Sequence, residues 1–198
     1  MILLTVLFLL LGFGSLTQAA ESPHTKILLH GHQEVKKGLG TAGWLILADV
    51  QNGGKALSVA GLRYNSPAKH WWIEVMGGAV VGKNALGVTD KMWLIDIRFS
   101  PPPLGKHFTH WTNVEWVDLP KLSAGRYYLY YQVDVNLPLG LGKVGLETEN
   151  TFKPGKDSLS FGPHLVLAVS KNMKIATAYQ WHRKFEGNQW WFRTVIDL

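Results

Sequence analysis

The chain contains no cysteine, which excludes a disulfide-stapled exported domain and a lipid anchor carried on a cysteine. It also lacks any amphipathic helical pattern of useful length, and it has no apolar run long enough to cross a bilayer comfortably as a helix. Neither a composition break nor an internal repeat divides it, so one domain is expected. Basic residues give a net charge of +6 and a pI near 9.5. They are scattered as Lys36, Lys37, Lys55, Lys69, Lys83, Lys106, Lys121, Lys156 and Lys171 and form no nucleic-acid motif. A solvated basic surface suits an anionic partner such as lipopolysaccharide or phospholipid, and no nucleic acid is expected.

What is present begins with the apolar run Met1 to Gly12, followed by small residues at Thr17-Gln18-Ala19-Ala20. That pattern reads as a secretory signal peptide over residues 1–20, with cleavage after Ala19 or Ala20. Export without disulfides means that stability must come from an extensive hydrogen-bonded ladder. Residues 21–40 are polar and rich in glycine, lysine and histidine, and they read as an N-terminal arm or a short extra strand. The domain proper is expected over 41–198.

Within it, about ten runs alternate apolar and polar residues, each long enough to cross a membrane as a tilted strand. They cover 41–51, 55–64, 70–81, 91–100, 109–119, 126–137, 143–152, 158–170, 173–183 and 189–198. Turn formers separate them, among them Asn52-Gly53-Gly54, Asn65-Ser66-Pro67, Pro101-Pro102-Pro103, Lys153-Pro154-Gly155 and Glu186-Gly187-Asn188. The expected fold is all-β, an antiparallel up-and-down barrel of about ten strands, with eight to twelve admissible.

Alternation alone fits two barrels: a soluble one whose apolar face points inward, and a transmembrane one whose apolar face points out to lipid. The polar face decides between them. It mixes charges with Gly78, Gly145, Ser160, Gly162, Ala168, Ala176 and Ala178, and small side chains suit a crowded interior, whereas a solvent face has no need of them. The apolar face carries more bulk than a ten-strand interior accommodates at normal packing density. Tyr64, Trp71, Trp93, Trp111, Trp181 and Trp190 fall near strand ends, where aromatic rings settle at a membrane interface. A mean hydropathy of +0.02 is ordinary for a barrel whose membrane signal is split between alternate residues.

Leader, alternation, absence of cysteine and the final run Trp190-Trp191-Phe192-Arg193-Thr194-Val195-Ile196-Asp197-Leu198 together resemble bacterial outer-membrane β-barrel proteins. Members of that family typically finish with apolar or aromatic residues at the last, third-last and fifth-last positions. Here those positions hold Leu198, Ile196 and Thr194, with leucine in place of a terminal aromatic. The resemblance implies an outer-membrane location, contact with bilayer and lipopolysaccharide, and recognition of the last strand by the barrel-insertion machinery. With both termini periplasmic, the connections near residues 52, 84, 121, 154 and 186 would lie outside the cell. All are short, so function is expected in the lumen.

The expected lumen-lining groups are Glu74, Asp96, Arg98, Glu115, Arg126, Asp134, Glu147, Glu149, His164, Lys174, His182, Arg193 and Asp197. Such a set either pairs into a plug or lines a thin water path, so the chain reads as a narrow channel for small solutes or a structural membrane protein. A secreted lipocalin-like barrel holding a hydrophobic ligand is the alternative. A lipid-modifying enzyme is a third reading, carried by Ser160 and His164 with Glu147 or Glu149 nearby, although four residues along a strand separate the serine and histidine by about 13 Å. His30-Gly31-His32 and His107-Phe108-Thr109-His110 lack a third ligand at metal spacing. No metal or cofactor is expected. In Trp71-Trp72 and Trp190-Trp191, one ring of each pair is expected to face lipid and the other the lumen.

Overall fold

The computed structural model describes residues 24–49, 54–68, 70–83, 89–105, 107–117, 126–183 and 188–198. The leader and the connections near 52, 84, 121 and 186 lie outside the described residues. Eleven strands follow one another: β1 (His24–Lys36), β2 (Leu39–Ala48), β3 (Lys55–Asn65), β4 (Trp72–Lys83), β5 (Thr89–Ser100), β6 (Phe108–Val117), β7 (Arg126–Asn136), β8 (Gly142–Lys153), β9 (Lys156–Ser170), β10 (Met173–Arg183) and β11 (Gln189–Asp197). Each pairs antiparallel with its sequence neighbours, and β1 closes on β11 to complete a barrel.

The eleventh strand is β1, drawn largely from the stretch read as an arm or short extra strand. Its inner face carries His24, Lys26, His30, His32 and Glu34 with only Leu28 apolar among them, so the apolar alternation used to find strands is weak there. An odd count changes the closure. Alternating directions around eleven strands leave β1 and β11 parallel, in register from His24 opposite Trp191 to His30 opposite Asp197. The antiparallel expectation therefore holds everywhere except at this seam. It follows that β1 begins at one rim, the first, and β11 ends at the other, the second, which corrects the placement of both ends on one side. The turn at Pro154-Gly155 lies at the first rim.

Burial separates the two faces over most of the wall. Leu62, Leu146 and Phe161 on the outer wall are each more than 60% exposed, whereas Glu74 and Asp96 on the inner wall are 0% exposed. The outer wall is apolar on all sides, with Val75, Ile97, Val114, Leu167 and Phe192 also exposed. The interior is mixed. A cluster of Ala42, Val59, Met76, Val80, Leu94 and Val117 fills part of it, with Trp44, Leu57 and Met92 packed alongside. Charged groups occupy the rest.

The small residues singled out from sequence all face inward. A Cβ on Gly162 would collide with the Tyr179 carbonyl oxygen, and one on Gly78 with that of Ser58. At those points the curved wall turns one strand's inner face against the neighbouring backbone, and only glycine fits.

Candidate functional site

Inward-facing residues from successive strands lie in rows set by the register. Arg63, Glu74, Arg98, Asn113, Tyr130 and Glu149 are linked pair by pair across β3 to β8. Because neighbouring strands pair with such long side chains opposite one another, charge concentrates into two clusters on the barrel wall.

Glu74 centres the first cluster. Its carboxylate accepts hydrogen bonds from Arg63 Nη1 at 2.5 Å and Trp44 Nε1 at 2.9 Å, and lies 3.2 Å from His30 Nε2. His30 Nδ1 is 3.1 Å from Asp197, which also accepts from Lys174 Nζ at 2.9 Å. Arg98 pairs with Asp96 at 2.8 Å and lies over the Trp44 ring at 4.1 Å. Asn113 donates to Glu115 at 2.9 Å.

Glu147 centres the second cluster. Both of its oxygens accept from the Arg193 guanidinium at 2.6 Å, while Gln180 and the Tyr130 hydroxyl donate at 2.7 Å each. Arg193 stands on β11 and Glu147 on β8, so the guanidinium must reach across β9 and β10. Those strands present Gly162, Ala176 and Ala178 inward, and their small size leaves room for the long side chain to cross. Beside this pair, His164 Nε2 is 2.6 Å from Asp134, which accepts from Gln132 at 2.6 Å and lies 3.5 Å from Lys143. Glu149 is paired with Lys26 at 2.6 Å.

Of the thirteen residues expected in the lumen, Glu74, Asp96, Arg98, Glu115, Asp134, Glu147, Glu149, His164, Lys174, Arg193 and Asp197 enter these networks. Arg126 lines the cavity at the first rim, and His182 faces inward opposite Ser160. Reading strand by strand from sequence missed Lys26, His30, Trp44, Arg63, Tyr130 and Gln180. Arg63 and Tyr130 share the parity of the polar face on their strands and were available from alternation alone. His30 and Lys26 lie in the segment read as an arm.

The aromatics divide differently. Trp93 is 52% exposed on the outer wall, Trp181 and Trp190 pack there against Phe161 and Tyr179, and Trp71 packs against Tyr64. Trp111 is a correction: it shares the inward parity of Asn113 and Glu115, packs on Tyr130 at 4.9 Å and lines the lumen. Trp72 and Trp191 face inward, and their neighbours Trp71 and Trp190 face out.

A nucleophilic pair is not assembled from the two residues considered. Ser160 Oγ lies 2.6 Å from the Glu149 carbonyl oxygen and 3.0 Å from Gln180, while His164 is engaged with Asp134. No three His, Asp or Glu side chains among the described residues are placed to hold a metal ion.

Between the clusters lies a cavity of about 780 Å³. Its walls include Lys55, Ala48 and Arg126 at the first rim and Asn136, Lys143 and Lys174 at the second. The fold and site define a class: a closed β-barrel with an apolar exterior and a charged, partly hollow interior. Comparison with protein-family profiles, curated proteins and solved structures returns no match.

Proposed function

We propose that the chain is an outer-membrane β-barrel whose lumen serves as a narrow, charge-lined channel for small solutes. The observation that carries this reading is the inversion of the two walls. Apolar side chains cover the outside while carboxylates, guanidinium groups and imidazoles are buried within. Contiguous apolar surface around a whole barrel is unfavourable in water and favourable in hydrocarbon. A lipocalin-like carrier requires the opposite arrangement, and the charged clusters occupy the volume where its ligand would sit.

Within the membrane reading, the cavity favours a channel over a solid plug, because residues from both rims line it. The aromatic groups at Tyr64 and Trp71 near one rim and Trp181 and Trp190 near the other suit the two bilayer interfaces. The leader supports export, the last strand suits recognition by the insertion machinery, and the basic surface suits lipopolysaccharide phosphates.

Electrophoresis in SDS of protein extracted from membranes, boiled and unboiled, tests the barrel in its proposed setting. Faster migration without boiling is expected. Recovery as a freely soluble protein with no such shift would refute the membrane reading. Single-channel steps in planar bilayers are then expected, and a folded barrel that never conducts would leave the structural role in place of the channel.

A further inference from the structure

The lumen is two-faced. Lys55 and Arg126 both line the cavity at the first rim, on β3 and β7, and neither has an ion-pair or hydrogen-bond partner among the described residues. The other lysines and arginines of the cavity wall are engaged: Lys26 with Glu149, Arg63 with Glu74, Arg98 with Asp96, Lys143 with Asp134, Lys174 with Asp197 and Arg193 with Glu147. Immediately inside Lys55 on the same face of β3 is Leu57. It is in register with Ile46 on one side and Val80 on the other, and Ile46 is in register with Leu28. These four side chains form a continuous apolar row on the cavity wall.

A purely aqueous passage gains nothing from such a row. Val80 is buried in the apolar cluster and Leu57 packs against it, whereas Leu28 and Ile46 continue the row beyond that cluster and, half-buried, present apolar surface to the lumen that water solvates poorly. Lys55 and Arg126 likewise have no counter-charge among the described residues. One occupant resolves both: an apolar body lying on the row with an anionic group at the rim. The cavity volume of about 780 Å³ falls within the span of about 300–1,000 Å³ typical of small-ligand sites.

We propose that the lumen binds an amphipathic organic monoanion of aromatic or short-acyl type, its apolar part on Leu28, Ile46, Leu57 and Val80 and its acidic group between Lys55 and Arg126. The proposal rests on the channel reading in naming the solute class, but binding is measurable without conduction. A ligand entering from the first rim inserts its apolar end. The charged end stays at the rim, where its desolvation is smaller than in the interior.

The test is calorimetric titration of the full chain in phosphatidylcholine nanodiscs, with empty nanodiscs as the blank. The probe is naphthalene-2-sulfonate, compared with neutral naphthalene-2-methanol and the cationic naphthylmethylammonium. Saturable binding of one sulfonate per barrel is expected, about tenfold tighter than either analogue, a difference of about 1.4 kcal/mol. The double variant Lys55→Gln/Arg126→Gln is expected to bring the sulfonate down to the affinity of the neutral analogue, and Lys55→Arg/Arg126→Lys to retain binding. Absence of saturable binding, or equal affinity for all three probes, overturns the proposal. The probe comparison uses the unaltered protein and so stands even if a variant folds poorly. Failure of the channel reading is read separately, as absence of conductance from protein that keeps its SDS mobility shift.

Discussion

Replacing Glu147 with glutamine should destabilise the barrel by about 3 kcal/mol, because it leaves a guanidinium without its main counter-charge in a buried setting. Glu147 is 2% exposed and Arg193 8% exposed. The carboxylate accepts two bonds from Arg193 at 2.6 Å and one each from Gln180 and Tyr130 at 2.7 Å. Glutamine keeps the shape but turns one acceptor into a donor, which then faces other donors. Removing one partner of a buried pair typically costs about 3–5 kcal/mol. The lower end applies here because Glu149 lies 3.3 Å from Arg193 Nη2 and compensates part of the charge. The double variant Glu147→Gln/Arg193→Gln should be less damaged than the sum of the single changes by about 2 kcal/mol, since neither buried charge then remains alone. Urea unfolding from phospholipid vesicles, followed by tryptophan fluorescence, measures all three. A single-variant loss below about 1 kcal/mol with no coupling would refute the reasoning, for it would mean that lumen water solvates Arg193 as well as Glu147 does.

Three further outcomes follow from the geometry. Ile97, outward-facing between Val75 and Val114, changed to arginine should cost about 2–4 kcal/mol in a bilayer if it lies at mid-depth, measured by the same unfolding assay; no effect would place that wall in water. Gly162→Val should abolish the SDS mobility shift, since the new side chain meets the Tyr179 carbonyl, and a normal shift would show that the wall there is looser than described. Because the chain has no cysteine, Ile27→Cys/Thr194→Cys places two thiols in register across the parallel seam without background. Cross-linking with a short bis-thiol reagent is expected in the folded protein, and its absence would refute the parallel closure.

Much of this architecture is legible in the residues. Strands such as β7 and β10 alternate cleanly because one wall meets a single medium, and that period survives in the sequence as Tyr127, Leu129, Tyr131 and Val133 against Tyr128, Tyr130, Gln132 and Asp134. The glycines and alanines of the polar face pointed correctly to the inner wall, because crowding there is a property of each position by itself. Trp111 misled, since closeness to a strand end says nothing about parity. β1 escaped clear recognition because its inward positions are polar apart from Leu28 and its outer face is apolar only at Ile27, Leu29 and Val35.

By itself, then, the sequence determined the strand period, the identity of the two faces and the stock of charges on one of them, all consequences of local chemistry repeated at a spacing of two. The parallel closure, the partnership of Arg193 with Glu147 across two intervening strands, the cluster around Glu74 and the placing of Lys55 and Arg126 at one rim beside an apolar row were decided only by the closed barrel. Their residues are far apart along the chain, and it is register and curvature, summed over eleven strands, that bring them to one cavity.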